Sequence, residues 1–415
     1  MNILKTLKTE KVLILGFGKE GRDTLSFLRS KFPQKRVGIA DVKKKKIEDE
    51  NVDFYFGEDY LEAIKNFEVI IKSPGIPLAL IKDKLNNKTI TSQTDIFLSQ
   101  KASTTIGVTG TKGKSTTCLC IYNILKRELD EDVYLLGNIG EPVLNYMDKE
   151  GIFIYELSSF QLATTRKSPH IAIFLNLFRD HLDQHTNFKE YKNAKANIFR
   201  RQTESDVLIY NRDDPLVSGM VSEARSQKIA FNSSLKIGDS PVYLEPVLKT
   251  VKLFNISKRK AKNQIESIDF LPHRMERCGS YKGIRFINDS AATIPEAAVE
   301  AISTTNEIKT LITGGVDKGG DYSKLAKKIA ESGIETLILF PDTGIKIEEE
   351  LRKITTDLPK IINSESMKGA VKAAYERTDS GVCLLSPASS SFNMFSSYKD
   401  RGDKFKKYVK KYGQK

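Results

Sequence analysis

The chain has 415 residues, enough for two or three domains, and its 40% hydrophobic and 29% charged residues mark a globular protein rather than a disordered one. No apolar run approaches the roughly 20 residues that a membrane span needs. The N-terminus carries no signal-peptide pattern, and four scattered cysteines without a CxxC pair argue against a disulfide framework or a zinc site, so a reducing cytoplasm is expected. The net charge of +13 fits a solvated lysine-rich surface or anionic small molecules better than nucleic acid, because KKKK at 43–46 and the basic stretch at 258–262 lack interleaved aromatics.

In chain order, KVLILG at 11–16 and RVGIAD at 36–41 read as strands, with a helix over 19–31 between them. EVIIKS at 68–73 is a further strand ending in Pro74-Gly75. This βαβ order predicts a parallel sheet. A second alternating region opens with a strand at 106–109 and continues with strands near 133–136, 152–156, 171–176 and 207–210. Periodicity is weakest over 232–268, where polar residues are dense. A third region begins after Pro272, with strands near 284–287, 309–313, 335–340 and 382–386 and helices near 295–303, 322–331 and 366–377. The expected class is α/β, in three domains at 1–100, 101–271 and 272–415.

The strongest local signal is GTKGKST at 110–116, which follows a strand and opens a helix at 115–126. Glycines let backbone N–H groups turn toward a phosphate, a lysine reaches the β/γ-phosphates, a hydroxyl meets Mg²⁺, and the helix N-terminus stands behind. Gly110, Gly113, Lys114 and Ser115 supply these parts, with Thr111, Lys112 and Thr116 completing the loop, although the spacing is shorter than GxxxxGK[ST]. The bland alternative is a chance glycine turn. GFGKEG at 16–21 also joins a strand to a helix, and Asp41 ends the next strand. By spacing alone this matches a dinucleotide fingerprint, so an NAD-dependent enzyme stays open at this point. Glu156 closes a strand near the expected phosphate site and suits a metal ion, or it caps a helix beside Ser158 and Ser159.

TGTKGKST resembles the ATP loop of the Mur ligases and the folylpolyglutamate synthases. ELSSFQL at 156–162 resembles the D-glutamate-adding Mur ligases most. GNIG at 137–140, DHLDQH at 180–185, YKNAK at 191–195, LPHRME at 271–276, NDSAAT at 288–293, GGVDKGGDY at 314–322, SPASSSF at 386–392 and RGDKF at 401–405 follow in that family's order. The resemblance implies a Rossmann-like N-terminal domain binding a UDP-substrate, a central P-loop ATPase-like domain binding ATP, and a Rossmann-like C-terminal domain binding an amino acid. It implies ATP-dependent amide ligation through an acyl phosphate in peptidoglycan precursor synthesis, with UDP-N-acetylmuramoyl-L-alanine and D-glutamate as partners, in a cytoplasmic monomer that neither inserts in membranes nor binds nucleic acid.

Residue by residue, the resemblance gives Gly18, Lys19, Ser73, Pro74 and Gly75 to the uridine diphosphate, with Asp41 and Lys43 as uracil candidates. Asn138, Ser159 and Gln161 resemble substrate contacts. Arg274, Asn288 and Asp289 resemble nucleotide contacts. Ser115, Glu156, His181 and Lys195 resemble the ligands of two Mg²⁺ ions, Lys195 as a carbamate, because a bare ammonium cannot ligate a cation. The alternative for Lys195 is an ion pair with an acidic neighbour. Thr293, Lys318, Ser391 and Tyr398 resemble the D-glutamate pocket, and the alternative for Lys318 is a cap on the turn between Gly315 and Gly319. The chain departs from the family in lacking an HNxxN pattern at 243–268, in Ala291 where lysine is common, and in Ser389 where cysteine is frequent.

Overall fold

The computed structural model describes residues 3–45, 47–101, 103–137, 141–178, 185–233, 236–237, 240–266, 272–317 and 319–414. Its first sheet contains β1 (Val12–Leu15), β2 (Val37–Asp41), β3 (Val52–Phe56), β4 (Val69–Lys72) and β5 (Thr89–Thr91) in the order β3-β2-β1-β4-β5. Every pairing in it is parallel. Its helices are α1 (Ile3–Thr9), α2 (Lys19–Lys31) and α3 (Gln93–Gln100). The second sheet runs β11-β10-β9-β6-β8-β7, again all parallel, from β6 (Thr105–Thr109), β7 (Val133–Gly137), β8 (Ile152–Glu156), β9 (Ile171–Phe174), β10 (Val207–Asn211) and β11 (Gln227–Phe231). The helices that frame its site are α4 (Lys114–Glu128), α5 (Ser159–Leu162) and α6 (Phe188–Ala196). Farther on come α7 (Pro215–Met220), a two-stranded sheet of β12 (Lys236–Ile237) and β13 (Ser240–Tyr243), α8 (Leu244–Lys252) and α9 (Lys258–Glu266).

Central parallel strands are buried on both faces, which is why β1, β4, β6, β8 and β9 are buried at every position and mostly apolar, with polar residues at the ends of β4, β6 and β8. In chain order β1 and β6 are each the first strand of their sheet, yet both lie inside it, where the strand order reverses. In open α/β sheets ligands bind outside the carboxyl ends of strands at that reversal. The first two sheets belong to one compact unit and share an apolar core. Phe97 of α3 packs edge-on against Phe153 and Tyr155 of β8, at 5.4 and 6.0 Å between ring centres.

The other unit is built on a sheet ordered β14-β15-β19-β16-β17-β18, from β14 (Glu276–Tyr281), β15 (Ile284–Asn288), β16 (Ile308–Gly315), β17 (Thr336–Asp342), β18 (Lys360–Asn363) and β19 (Gly381–Leu385). Its helices are α10 (Pro295–Thr304), α11 (Ser323–Ala330), α12 (Thr343–Ile354), α13 (Met367–Arg377) and α14 (Tyr398–Gly413). β14 runs antiparallel to β15, so this sheet is mixed. Lys282 and Gly283, between the two strands, have φ of 52° and 81°, the left-handed pair that closes a two-residue hairpin. Among the described residues no helix is long and apolar enough to cross a membrane.

Candidate active site

The central loop leaves the carboxyl end of β6 between β8 and β9, where Val108 is in register with Glu156 on one side and Ile173 on the other. Gly113, at φ 82°, is the N-cap of α4 and has no side-chain cap, so the helix N-terminus opens on the loop. Lys114 turns back, its Nζ donating to the Gly110 carbonyl at 2.8 Å and the Thr111 carbonyl at 2.9 Å. Lys195 of α6 reaches the same Gly110 carbonyl at 2.8 Å, with its ammonium 4.9 Å from the centre of the Tyr191 ring. Two ammonium groups from separate helices therefore meet at one carbonyl oxygen. Lys195 is only 2% exposed.

The loop's shape is fixed from outside it. Asn176 accepts from the Lys112 amide at 2.9 Å and donates to the Lys112 carbonyl at 3.1 Å. The Thr111 hydroxyl lies 3.0 Å from the Tyr191 hydroxyl and accepts from the Phe178 amide at 3.0 Å. Asn176 does not stand out in the sequence and Tyr191 shows only as the first residue of YKNAK, since each works through a contact some 60–80 residues away along the chain. Ser115 and Thr116 are buried in the first turn of α4.

Glu156 ends β8 and is 1% exposed. The capping alternative for it falls to another residue: Ser158 caps α5 in a capping box with Gln161. The buried Ser159 hydroxyl lies 2.9 Å from Nε2 of His185, whose ring stacks on Phe160 at 5.1 Å. Asn138, Asp180, His181 and Lys318 lie outside the described residues.

The first sheet carries a second recess of about 470 Å³ at the carboxyl end of β1, lined among others by Gly18, Lys19, Glu20, Asp41, Ser73, Pro74 and Gly75. Asp41 accepts from the Phe17 amide at 2.7 Å and the Lys43 amide at 2.8 Å, which holds the glycine loop against β2. The Ser73 hydroxyl donates to the Gly16 carbonyl at 2.8 Å. The Lys43 side chain is exposed and is not part of the lining. Lys72 is buried and donates to the carbonyls of Ser73 (3.0 Å) and Ile76 (2.7 Å), and burial lowers it to about 8. Burial raises the Glu20 carboxyl to about 7.

In the third sheet, β15, β16 and β19 are neighbours, so the segments after them gather at one edge. Asn288, fully buried, donates to Glu276 at 2.9 Å and lies 3.1 Å from Nδ1 of His273. Asp289 accepts from the Ser386 hydroxyl at 2.9 Å, and burial lifts its carboxyl to about 7 against that bond and the pull of the half-buried Arg274. The side chain at the centre of this edge is Arg401 of α14, completely buried, which donates to the Ser290 hydroxyl (3.0 Å), the Ser290 carbonyl (2.9 Å) and the Ser389 carbonyl (3.0 Å). It tethers the SPASSSF and NDSAAT segments to α14. Tyr398 heads that helix, its carbonyl accepting from Ser290 at 2.7 Å and its ring edge-on to His273. Ser391 is buried and Thr293 half-buried. Arg401 was visible in RGDKF but had no role to suggest from spacing alone. The turn after β16 is capped by Asp317, which accepts from the Gly319 amide at 3.0 Å and pairs with Lys346.

An α/β chain whose central parallel strand feeds a compact lysine-bearing glycine loop has the build of a P-loop nucleotide-binding protein, and the family models make its class the Mur ligases. A Mur ligase middle domain matches residues 108–269, and a Mur ligase, glutamate ligase domain matches residues 273–389. The UDP-N-acetylmuramoylalanine–D-glutamate ligases of Clostridium tetani and Clostridium acetobutylicum are each 32% identical to the chain, covering 98% of it and 98% and 97% of themselves. The MurF ligase of Thermotoga maritima, solved in complex with ADP, shares the fold at a TM-score of 0.58 and 17% identity, over 99% of this chain and 98% of its own. The chain belongs to the UDP-N-acetylmuramoylalanine–D-glutamate ligase family of Mur ligases.

Proposed function

We propose that the chain is an ATP-dependent ligase of peptidoglycan precursor synthesis that joins D-glutamate to UDP-N-acetylmuramoyl-L-alanine. The observation that carries this reading is the 32% identity to UDP-N-acetylmuramoylalanine–D-glutamate ligases over 98% of the chain, and the convergence of Lys114 and Lys195 on the Gly110 carbonyl supports the placing of ATP at the central loop. Regions 1–100, 101–271 and 272–415 would serve the UDP-substrate, ATP and the amino acid in turn. The alanyl carboxylate attacks the γ-phosphorus, ADP leaves, and the neutral amine of D-glutamate then displaces phosphate from the acyl carbon, losing a proton as the amide forms. Both reacting partners begin as anions, so the site must supply positive charge and exclude water.

Lys114 and the bare N-terminus of α4 would face the phosphates. Glu156 and Ser115 are oxygen donors buried at the carboxyl edge of the sheet, the donor type that magnesium takes. They would hold Mg²⁺ together with His181 and with Lys195 as a carbamate, and the bound metal ions would neutralise the charge between phosphate and carboxylate. As an ammonium Lys195 instead holds the loop through Gly110, so carbamylation would exchange a loop contact for a metal ligand. In the third sheet Thr293, Lys318, Ser391 and Tyr398 would receive the two carboxylates of D-glutamate.

The test is phosphate release with Mg-ATP, UDP-N-acetylmuramoyl-L-alanine and a panel of L- and D-amino acids. Turnover that requires D-glutamate is the expected result. Turnover with a different amino acid would overturn the substrate, and no turnover with any would overturn the ligase.

A further inference from the structure

Glu20 stands between the first glycine loop and the segment after β8. It is the second residue of α2, lines the first recess, and its Oε1 accepts from Nε2 of Gln161 at 3.2 Å. Gln161 is oriented for that bond, because its own Oε1 already accepts from the Ser158 amide (3.0 Å) and the Ser158 hydroxyl (2.9 Å). Its NH₂ group is therefore the end that meets Glu20.

The surroundings of this carboxyl oppose its charge. Burial is the chief cause of its rise to about 7, with Asp23 on the same helix adding to it, while Gln161 and Lys72 work the other way. Lys72, from β4, spends its protons on the Ser73 and Ile76 carbonyls. Tyr155, from β8, bonds the Thr94 hydroxyl at 2.7 Å, and burial keeps its phenol neutral. Asp41 of β2 and Lys19 line the same recess, and Lys19 also pairs with the exposed Glu141. A diphosphate on the uncapped N-terminus of α2 would add anionic charge beside Glu20. Ionised, Glu20 would repel it and could only accept hydrogen bonds. Neutral, it would still accept from Gln161 and would have one O–H to donate.

We propose that Glu20 is a positioning residue that takes up a proton from solvent as the diphosphate of the UDP-substrate binds the first glycine loop, and so ties that diphosphate to α5 through Gln161. The inference rests on the reading of the first recess as the UDP site. Its sign is definite. A carboxyl that must be neutral for binding favours the complex below its own titration and weakens it above, so affinity falls as pH rises through about 7.

The experiment is calorimetric titration of UDP-N-acetylmuramoyl-L-alanine into the full chain without ATP, in pairs of buffers that differ in ionisation enthalpy, from about pH 6.5 to about pH 8.5. Each substrate phosphate has one ester and one anhydride link and a single strongly acidic oxygen, so neither titrates there, and the loss of uptake in Glu20→Gln is what assigns the protons to Glu20. Wild type is expected to absorb protons on binding, more at the alkaline end, and to weaken about tenfold across the range. Glu20→Gln, which copies the shape and the donor-acceptor pair of the neutral acid, is expected to bind without that uptake and with affinity nearly flat in pH. Wild-type binding without proton uptake, or Glu20→Gln with undiminished uptake, overturns the role of Glu20 and leaves the UDP site standing. No binding by the wild type overturns both. Should Glu20→Gln fail to fold, Glu20→Ala in the same titrations takes its place, because Lys72, lowered by burial to about 8, titrates in the same range and only loss of uptake on removing the Glu20 carboxyl separates the two.

Discussion

The loop after β1 and the loop after β6 share a plan: a buried parallel strand, a glycine turn at the point where strand order reverses, and a helix whose N-terminus has no side-chain cap. They differ in what surrounds them. Carboxylates frame the first, with Asp41 on the loop amides and Glu20 in the first turn of α2. Ammonium groups hold the second, Lys114 and Lys195 both on the Gly110 carbonyl. One backbone solution to anion binding is thus tuned twice. A cationic loop suits a phosphoryl group about to be transferred, where charge develops and must be stabilised. At a diphosphate that is only held, a carboxyl in the first turn of the helix would have to be neutral, which would make that holding sensitive to protons.

The hardest blow to this contrast is Lys114→Ala. Loss of a preorganised cation at a transferring phosphoryl group should cut phosphate release by about 10²–10³-fold or more, while calorimetric affinity for the UDP-substrate stays near wild type. Undiminished turnover would show that the second loop is not the phosphoryl site.

Lys195→Ala should lose most activity for a different reason, the loss of the anionic ligand proposed for its carbamate. A small added carboxylate such as formate should restore part of it. A crystallographic search, with intact mass beside it, that finds only the free amine in fully active enzyme would remove the carbamate and leave Lys195 as a second loop cation.

The smallest effects separate packing from charge in the first loop. A Cβ at Gly21 would lie 2.3 Å from the Gly16 carbonyl oxygen, so Gly21→Ala must push α2 off the loop. A cost of about 1–3 kcal/mol in stability and weaker binding of the UDP-substrate are expected. A Cβ at Gly18 meets nothing within 4 Å, so Gly18→Ala should be nearly silent in thermal melting. Equal behaviour of the two would mean that close packing of α2 does not shape the recess.

Several elements absent from the reading of the sequence had physical reasons to be hard to see. The edge strands β3, β5 and β18 are short and half-exposed, so they carry little apolar pattern. α9, KRKAKNQIE, shows only Ala261 and Ile265 as a buried pair one turn apart, beneath a coat of charge. α14 shows in the sequence only through Tyr398 and RGDKF, although its buried face continues to Val409. By contrast, the helix over Lys19–Lys31 and the strand over Ile152–Glu156 were read to the residue, because glycine turns and sheet burial mark their ends within a few residues.

The sequence by itself determined the α/β class, the two glycine loops and the placement of Lys114, Glu156 and Lys195 in recognisable motifs, since each depends on residues adjacent along the chain. Only the tertiary structure decided that Lys195 and Lys114 share one carbonyl, that Asn176 and Tyr191 hold the loop, that Gln161 meets Glu20 across 141 residues, and that Arg401 reaches Ser290 and Ser389 from α14. These are contacts between side chains brought together by strand order and a common core, and strand order is set by how buried surfaces pack, which no local spacing records.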